Sequence, residues 1–417
     1  MNKQSTTGGM SRRDFAKASA VAAGFAILSG KSGVAQDTVD TLKIGLIGCG
    51  GRGGGAVVNC LTGNDNVKFV AMADVFEDKL VARRNDLRNN KNPRVQPKID
   101  IQDDLCFVGL DAFEKLLATD VDIVIHATPP YARPQHLEAI VAAGKHVFVE
   151  KPFAVDPVGI RRCIAAAKAA EEKGLRIVTG PQRRYQTSYM ETVKRLQDGE
   201  IGQILAARAY WNGSLPFCNE REPQYSDLEY RFRNWYNYIW TCGDNIVEQH
   251  VHNLDVINWV LGEHPVSVVA SGGRAWKPTE EKYGDIWDNF SCDYEYASGV
   301  HMLSMARHWN NSQNDVFEEV TGTKGKSDCR NLGKDSSDPY VNEHIALLQS
   351  IRGEREYINQ GVQTAESTLT AIMGRMAAYT GKKITWDEAM NSDLSLVPTV
   401  LDFAQAYPVG PIPVPGA

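Results

Sequence analysis

The sequence predicts an α/β protein whose first half is a doubly wound parallel sheet. Three observations carry this reading. Short β-rich runs alternate with helical stretches between residues 41 and 180, the first run ends in a cluster of glycines, and the second ends in an acid. Strands that alternate with helices need crossover connections, and right-handed crossovers build a parallel sheet covered on both faces. The composition is that of a folded chain, with 43% hydrophobic and 9% aromatic residues among 417. Against 45 Lys and Arg stand 51 Asp and Glu, a net charge of −6, which argues against a nucleic-acid footprint. No uncharged apolar run approaches the roughly 20 residues that span a bilayer.

Residues 1–35 are set apart from this fold. Ser11-Arg12-Arg13-Asp14-Phe15-Ala16-Lys17 precedes an uncharged stretch, 18–30, and Gly33-Val34-Ala35 supplies small residues for cleavage. A basic segment followed by a short apolar run has the pattern of a signal peptide. The paired arginines, Phe15 and Lys17 match a twin-arginine (Tat) signal, with an ordinary Sec signal or a retained anchor as the alternatives. The expectation is a leader read by the Tat export machinery and a periplasmic protein. The leader holds five bases and one acid, so the remaining 382 residues carry −10. The eight cysteines form no C-x-x-C pair and no disulfide framework, as expected of a chain that folds in a reducing compartment.

The elements then follow in order. The run 42–47 reads as a strand and ends in Gly48-Cys49-Gly50-Gly51-Arg52-Gly53, with a helix over 56–61. This is G-x-G-x-x-G between strand and helix, the dinucleotide-binding fingerprint. Its first glycine makes the turn, its second admits a pyrophosphate, and its third lets helix and strand approach. Helix N-terminal N–H groups hold the phosphates. The second strand, 67–73, ends in Asp74, 21 residues after Gly53. An acid there accepts from both ribose hydroxyls and repels a 2′-phosphate, favouring NAD over NADP. A turn or helix-cap role for Asp74 is the alternative, and Arg83 and Arg84 downstream soften the preference. Helices at 111–119, 135–143 and 157–173 alternate with strands at 121–126, 145–149 and 175–179. Thr128-Pro129-Pro130, Glu150-Lys151-Pro152 and 180–185 follow strand ends. In an open α/β sheet those ends share the ligand-binding edge. The cofactor-binding set is therefore Gly48, Gly50, Gly51, Arg52, Gly53, Asp74, Thr128, Pro129, Glu150 and Lys151.

Lys151 follows an apolar strand directly. It points into the nicotinamide end of the cleft, where it can polarise a hydroxyl or carbonyl. A surface lysine paired with Glu150 is the alternative. In 243–262, Val247, Val251, Leu254 and Leu261 recur at helical spacing, and Glu248, His252 and Asp255 fall on the adjoining face. Glu248 and His252 can then meet, and a carboxylate beside an imidazole raises its basicity, as a general base requires. Purely structural histidines are the alternative. His250 points the other way on a helix, and a metal site with Glu248 and His252 needs a strand or a distortion, so no metal is assigned.

Together these pieces resemble the glucose–fructose oxidoreductase/inositol dehydrogenase (Gfo/Idh/MocA) family. They are Gly48–Gly53, Thr128-Pro129-Pro130 with His136, Gly144-Lys145-His146-Val147 leading into Glu150-Lys151-Pro152, and His252-Asn253-Leu254-Asp255. The resemblance implies an N-terminal Rossmann dinucleotide-binding domain and a C-terminal α+β domain with a large, mostly antiparallel sheet. It also implies NAD-dependent hydride transfer at a hydroxyl-bearing carbon of a sugar or polyol. Lys151 and His252 would take the proton-transfer roles, and Glu248 stands where the family pattern has Asp. Its extra methylene changes its reach, so it is expected to orient His252 rather than touch substrate.

The second half carries strand-like runs at 266–273, 288–295, 299–307 and 315–322, and helices at 343–352 and 364–380. The strand-like runs suit an open sheet, which in the family that the chain resembles often makes an oligomer interface, so the resemblance implies a homo-oligomer, a dimer or tetramer. The stretch 211–240 is rich in aromatics and Arg, which suits sugar faces and equally a packed loop. The domains are a leader (1–35), a Rossmann domain (36–181), a substrate and oligomerisation domain (182–400) and a Pro-rich tail (401–417), extended along a surface. An exported nicotinamide enzyme lacks a free cofactor pool, so the cofactor is expected to be loaded before export and retained. Two alternatives stay open. One is a redox-neutral glycosidase working by transient 3-keto oxidation and elimination. The other is a non-catalytic carbohydrate-binding protein.

Overall fold

The first strand, β1 (Leu42–Ile47), lies inside a six-stranded parallel sheet. With β2 (Val67–Asp74), β3 (Cys106–Val108), β4 (Ile123–His126), β5 (His146–Val149) and β6 (Ile177–Thr179), the order is β3-β2-β1-β4-β5-β6. The computed structural model describes residues 40–416, and the leader expected at 1–35 lies outside them. The central strands are buried on both faces, which is why they read as unbroken Ile/Val runs. Helices α1 (Gly51–Gly63), α2 (Glu77–Arg88), α3 (Ala112–Leu117), α4 (Arg133–Ala142) and α5 (Pro157–Glu172) make the crossovers. The start of α5 is fixed locally: Asp156 accepts from Gly159 N at 2.7 Å and Pro157 takes the first helical position. Helix α2 has no periodic apolar signal, since it buries only Leu80 and Leu87. The strand order reverses between β1 and β4, which opens a crevice at their C-terminal ends.

The chain passes through α6 (Thr187–Gln197) into β7 (Ile204–Gly213), the first strand of a second sheet. Three short helices follow, α7 (Asp227–Arg233), α8 (Ile239–Cys242) and α9 (Asn245–Glu248), and then α10 (Val251–Leu261). The remaining strands are β8 (Pro265–Gly273), β9 (Asn289–Tyr296), β10 (His301–His308), β11 (Asp315–Gly322), β12 (Gly325–Ser327) and β13 (Ile384–Thr385). The seven strands are ordered β12-β11-β7-β10-β9-β8-β13, with only β7 and β10 parallel. Burial alternates residue by residue in β9 and β10, as in a sheet with one covered face.

Three late helices, α11 (Pro339–Ile351), α12 (Gly361–Thr380) and α13 (Trp386–Asn391), tie the two sheets together. Helix α11 lies on α1: a Cβ at Gly63 would sit 2.8 Å from Val341 and Ile345 side-chain atoms. Helix α12 lies between α5 and the second sheet, with Gly361 against Ala167 and Gly374 against Tyr294. The backbone just before α12 runs beside β6, where Ile177 N donates to Ile358 O at 3.1 Å. All eight cysteines are free thiols. No described helix is long and apolar enough to cross a membrane.

The single helix expected through 243–262 is not formed. Helix α9 stops at Glu248 and α10 restarts at Val251. In a continuous helix the Glu248 carbonyl would accept from the His252 N–H. Here it accepts from Lys151 Nζ at 2.6 Å, and the His252 N–H turns to Gln249 O at 3.4 Å.

Candidate active site

A cavity of about 1270 Å³ lies along the C-terminal edge of the first sheet and against the second half of the chain. Pockets for single drug-sized ligands hold about 300–1,000 Å³, so this one has room for a dinucleotide and a small substrate. Its floor is the glycine turn. Gly48 has φ +97, and a Cβ there would meet Ala127 and Thr128 backbone at 2.8 Å. A Cβ at Gly53 would lie 2.0 Å from Gly48 O, so β1 and α1 touch through that glycine. Gly50 and Gly51 have open space in front of them, and with Arg52 they line the cavity. The unpaired N–H groups of the first turn of α1 thus adjoin an open cradle.

Asp74 lies at the end of β2. Its Oδ2 accepts from Cys49 N at 2.6 Å and its Oδ1 from Phe76 N at 2.9 Å. The carboxylate therefore ties the turn, and it also lines the cavity with one lone pair left on each oxygen. Burial pushes its pKa up. Of the two arginines downstream, Arg83 lines the cavity beside Gly54, whereas Arg84 pairs with Asp103 at 3.0 Å. Thr128 bonds His126 Nε2 at 2.9 Å, which in turn meets His136 Nδ1 at 3.0 Å. Thr128, Pro129 and His136 all line the cavity.

Glu150 accepts from Arg52 Nε, and Arg52 Nη2 donates to Glu343 Oε1 of α11 at 2.8 Å. The Arg52 guanidinium also lies 4.8 Å from the Tyr340 ring. Arg52 is thus clamped between two carboxylates, and Glu343 and Tyr340 are site residues with no local sequence signature. Lys151 does not pair with Glu150 through its ammonium. Its Nζ donates to Glu248 Oε1 at 3.0 Å as well as to the Glu248 carbonyl. This buried ion pair, 12% and 8% exposed, joins the end of β5 to α9.

His252 lines the cavity, stacked on Trp211 with ring centres 5.9 Å apart. The expected Glu248–His252 contact does not form, because the helix breaks between them and the Glu248 carboxylate turns to Lys151. His252 Nδ1 and Glu248 Oε2 are buried without a hydrogen-bond partner. Burial, and then the cations Lys151, Arg183 and Arg52, hold His252 well below the usual imidazole range, so it is neutral near pH 7. His250 bonds Ser304 Oγ at 2.7 Å. In the aromatic stretch, Phe217, Phe232, Arg233 and Trp235 line the cavity, while Arg231, Tyr236 and Tyr238 are buried in packing. The segment after α13 adds Val397, Pro398 and Leu401 to the lining, and nothing local in the sequence marks it. The open cradle, the acid at the end of β2 and the cavity's size fit NAD.

Two family models match the chain. The oxidoreductase family with an NAD-binding Rossmann fold matches residues 42–180, and the Gfo/Idh/MocA C-terminal domain matches residues 189–327. The chain is 26% identical over 285 residues to an inositol 2-dehydrogenase of Rhizobium meliloti, covering 68% of this chain and 74% of that protein. It is 25% identical over 289 residues to a 2,7-anhydro-N-acetylneuraminate hydratase of Escherichia coli, covering 68% and 66%. Its fold matches the scyllo-inositol dehydrogenase of Lactobacillus casei, solved with NAD(H) and scyllo-inositol, at TM-score 0.63 and 20% identity over 83% of this chain and 99% of that one. With both halves matched in order around one cavity, the chain belongs to the Gfo/Idh/MocA family of NAD-dependent oxidoreductases.

Proposed function

We propose that this protein oxidises a secondary hydroxyl of a polyol or sugar, with hydride passing to NAD. One observation carries the reading: Lys151, Glu248 and His252, from opposite sides of the cleft, line the same cavity as the glycine turn. NAD supplies the hydride acceptor when bound. Gly50, Gly51 and the start of α1 would hold its pyrophosphate, and Asp74 its ribose hydroxyls. Lys151 donates a hydrogen bond to the substrate oxygen and stabilises the negative charge that develops there. Glu248 holds the Lys151 ammonium in place through its carboxylate and its carbonyl. Neutral His252 accepts the hydroxyl proton at Nε2, the ring nitrogen left toward the cavity.

The test is to add inositols, other polyols and sugars to the NAD-loaded protein and follow the reduced-nicotinamide absorbance band. Turnover with a member of the panel is expected. Lys151→Ala should lower it by about 10²–10⁴-fold while NAD still binds. A wild-type protein that binds no NAD, or that turns over none of the panel, overturns the reading.

The hydratase among the relatives favours one second reading, a redox-neutral reaction in which the substrate is oxidised transiently and reduced again in place. Cleavage of aryl glycosides without net NADH would select it. We further propose that the twin-arginine leader exports the loaded protein to the periplasm. Stoichiometric NAD(H) in the supernatant of denatured, freshly isolated protein is then expected. The exposed Leu205, Val269, Leu303 and Val316 on the second sheet support a homo-oligomer formed through that face, which light scattering would detect.

A further inference from the structure

Asp74 and Lys151 mark the two ends of the cavity. They end β2 and β5, three strand spacings apart across the sheet, or about 14 Å. The proposed reaction uses the Lys151 end. The Asp74 end is closed by parts of the chain that it leaves unexplained.

A separate small apolar core lies at that end. Phe76, two residues beyond Asp74, is 6.5 Å from Phe403, and Phe403 is 6.4 Å from Phe232 of α7. Phe232 stacks on Tyr131 at 4.8 Å. Next to it, the Arg233 guanidinium lies 4.1 Å from the Phe76 ring and grips Asp78 of α2 with two bonds, 3.0 and 2.9 Å. The segment that supplies Phe403 is fastened at both ends. Leu396 N donates to Asp156 Oδ2 at 2.7 Å at one end. At the other, Tyr407 N donates to Asp227 Oδ2 at 2.9 Å, and Tyr407 O accepts from buried Arg231 at 2.7 Å. Between these anchors, Val397, Pro398 and Leu401 line the cavity.

We propose that residues 394–407 are a strap that closes the adenosine end of the NAD site, latched by Phe403 on Phe76 and on Phe232, whose helix Arg233 ties to Asp78 of α2. The inference rests on the NAD reading above. Val397, Pro398 and Leu401, with Ser395 and Thr399, give it an uncharged lining, which suits the uncharged adenosine half, while the charged pyrophosphate would lie at the start of α1. NAD leaves when the strap lifts, so the strap governs the release rate more than the final contacts. A cofactor held this way stays through successive turnovers, as an enzyme that oxidises and re-reduces within one site requires.

The test uses the full chain loaded with NADH, with release followed by loss of its bound fluorescence on dilution into excess NAD. Phe403→Ala and Arg233→Ala, each verified as folded by circular dichroism, should release it at least tenfold faster than wild type. Val414→Ala, exposed and outside the strap, should release at the wild-type rate. Hydrogen exchange on the unmutated protein gives an independent reading: amides in 394–407 should exchange more slowly with NAD bound than without. Unchanged release in both folded variants, or exchange in 394–407 indifferent to NAD, overturns the strap. A wild-type protein that binds no NAD instead overturns the reading of the site, and the strap with it.

Discussion

At the residue scale the site turns on charge. Lys151 was legible from its place after β5, but its partner was not. The helical spacing that brought Glu248 to His252 assumed an unbroken helix, and a buried ammonium breaks it by taking the Glu248 carbonyl. His252 is left neutral by burial and by three nearby cations. Removing one cation removes repulsion against the imidazolium, so Lys151→Met should raise the His252 pKa. An NMR titration would show it, and the wild-type ring should stay neutral well below the ordinary value of about 6.5. A wild-type ring titrating at its ordinary value would contradict the account. Because the base must be unprotonated, the acidic limb of the rate profile should fall below that same value.

At the element scale the glycine turn makes a paired prediction. Gly50 faces open space and Gly53 faces Gly48 O. Gly50→Ala should leave the melting temperature within a few degrees of wild type while weakening NAD binding, since its methyl occupies the phosphate cradle. Gly53→Ala forces β1 and α1 apart and should cost about 1–3 kcal/mol, the range of overpacked cores. Calorimetry with and without NAD separates the two. A second element-scale case is the bidentate pair of Arg184 with Asp255 of α10, at 2.8 and 2.9 Å, with Asp255 also accepting from Ser367 of α12. Asp255 is only 1% exposed, so Arg184→Ala strands a buried charge and should cost about 3–5 kcal/mol in denaturant unfolding. The motif reading found Asp255, but only its partners show that it is a structural anchor rather than a proton carrier.

At the scale of the whole molecule, seven buried or half-buried histidines are held neutral. Burial lowers His136, His250 and His308 to about 3 and His146 to about 4, and it lowers His126, His252 and His344 well below the usual range. Each folded pKa lies below the unfolded value of about 6.5, so the unfolded chain binds more protons between the two. Their stabilisation is complete above about pH 6.5 and is lost as the pH falls toward the folded values. Six carboxyls work the other way: burial raises Asp285 to about 6, and it also raises Asp74, Asp244, Glu318, Glu343 and Glu366, so the seven histidines outnumber them by one. Urea unfolding should therefore give a lower stability at pH 5 than at pH 7.5, with proton uptake on unfolding. Equal stabilities would contradict an excess of histidines buried neutral over carboxyls buried protonated.

The sequence by itself determined five of the six strands of the first sheet and the cofactor turn, but not the short edge strand β3. Those depend on local rules: apolar runs buried on both faces, a glycine where no Cβ fits, an acid at a strand end. It also determined that Lys151 and His252 belong to one cleft, because strand ends and motif order are written along the chain. The tertiary structure decided what lies between distant segments. It set Glu248 against Lys151, Glu343 against Arg52, and the stretch around Phe403 against Phe76. These contacts join residues about 100 to 330 positions apart, and no periodicity or spacing encodes which buried charge or ring will meet which partner.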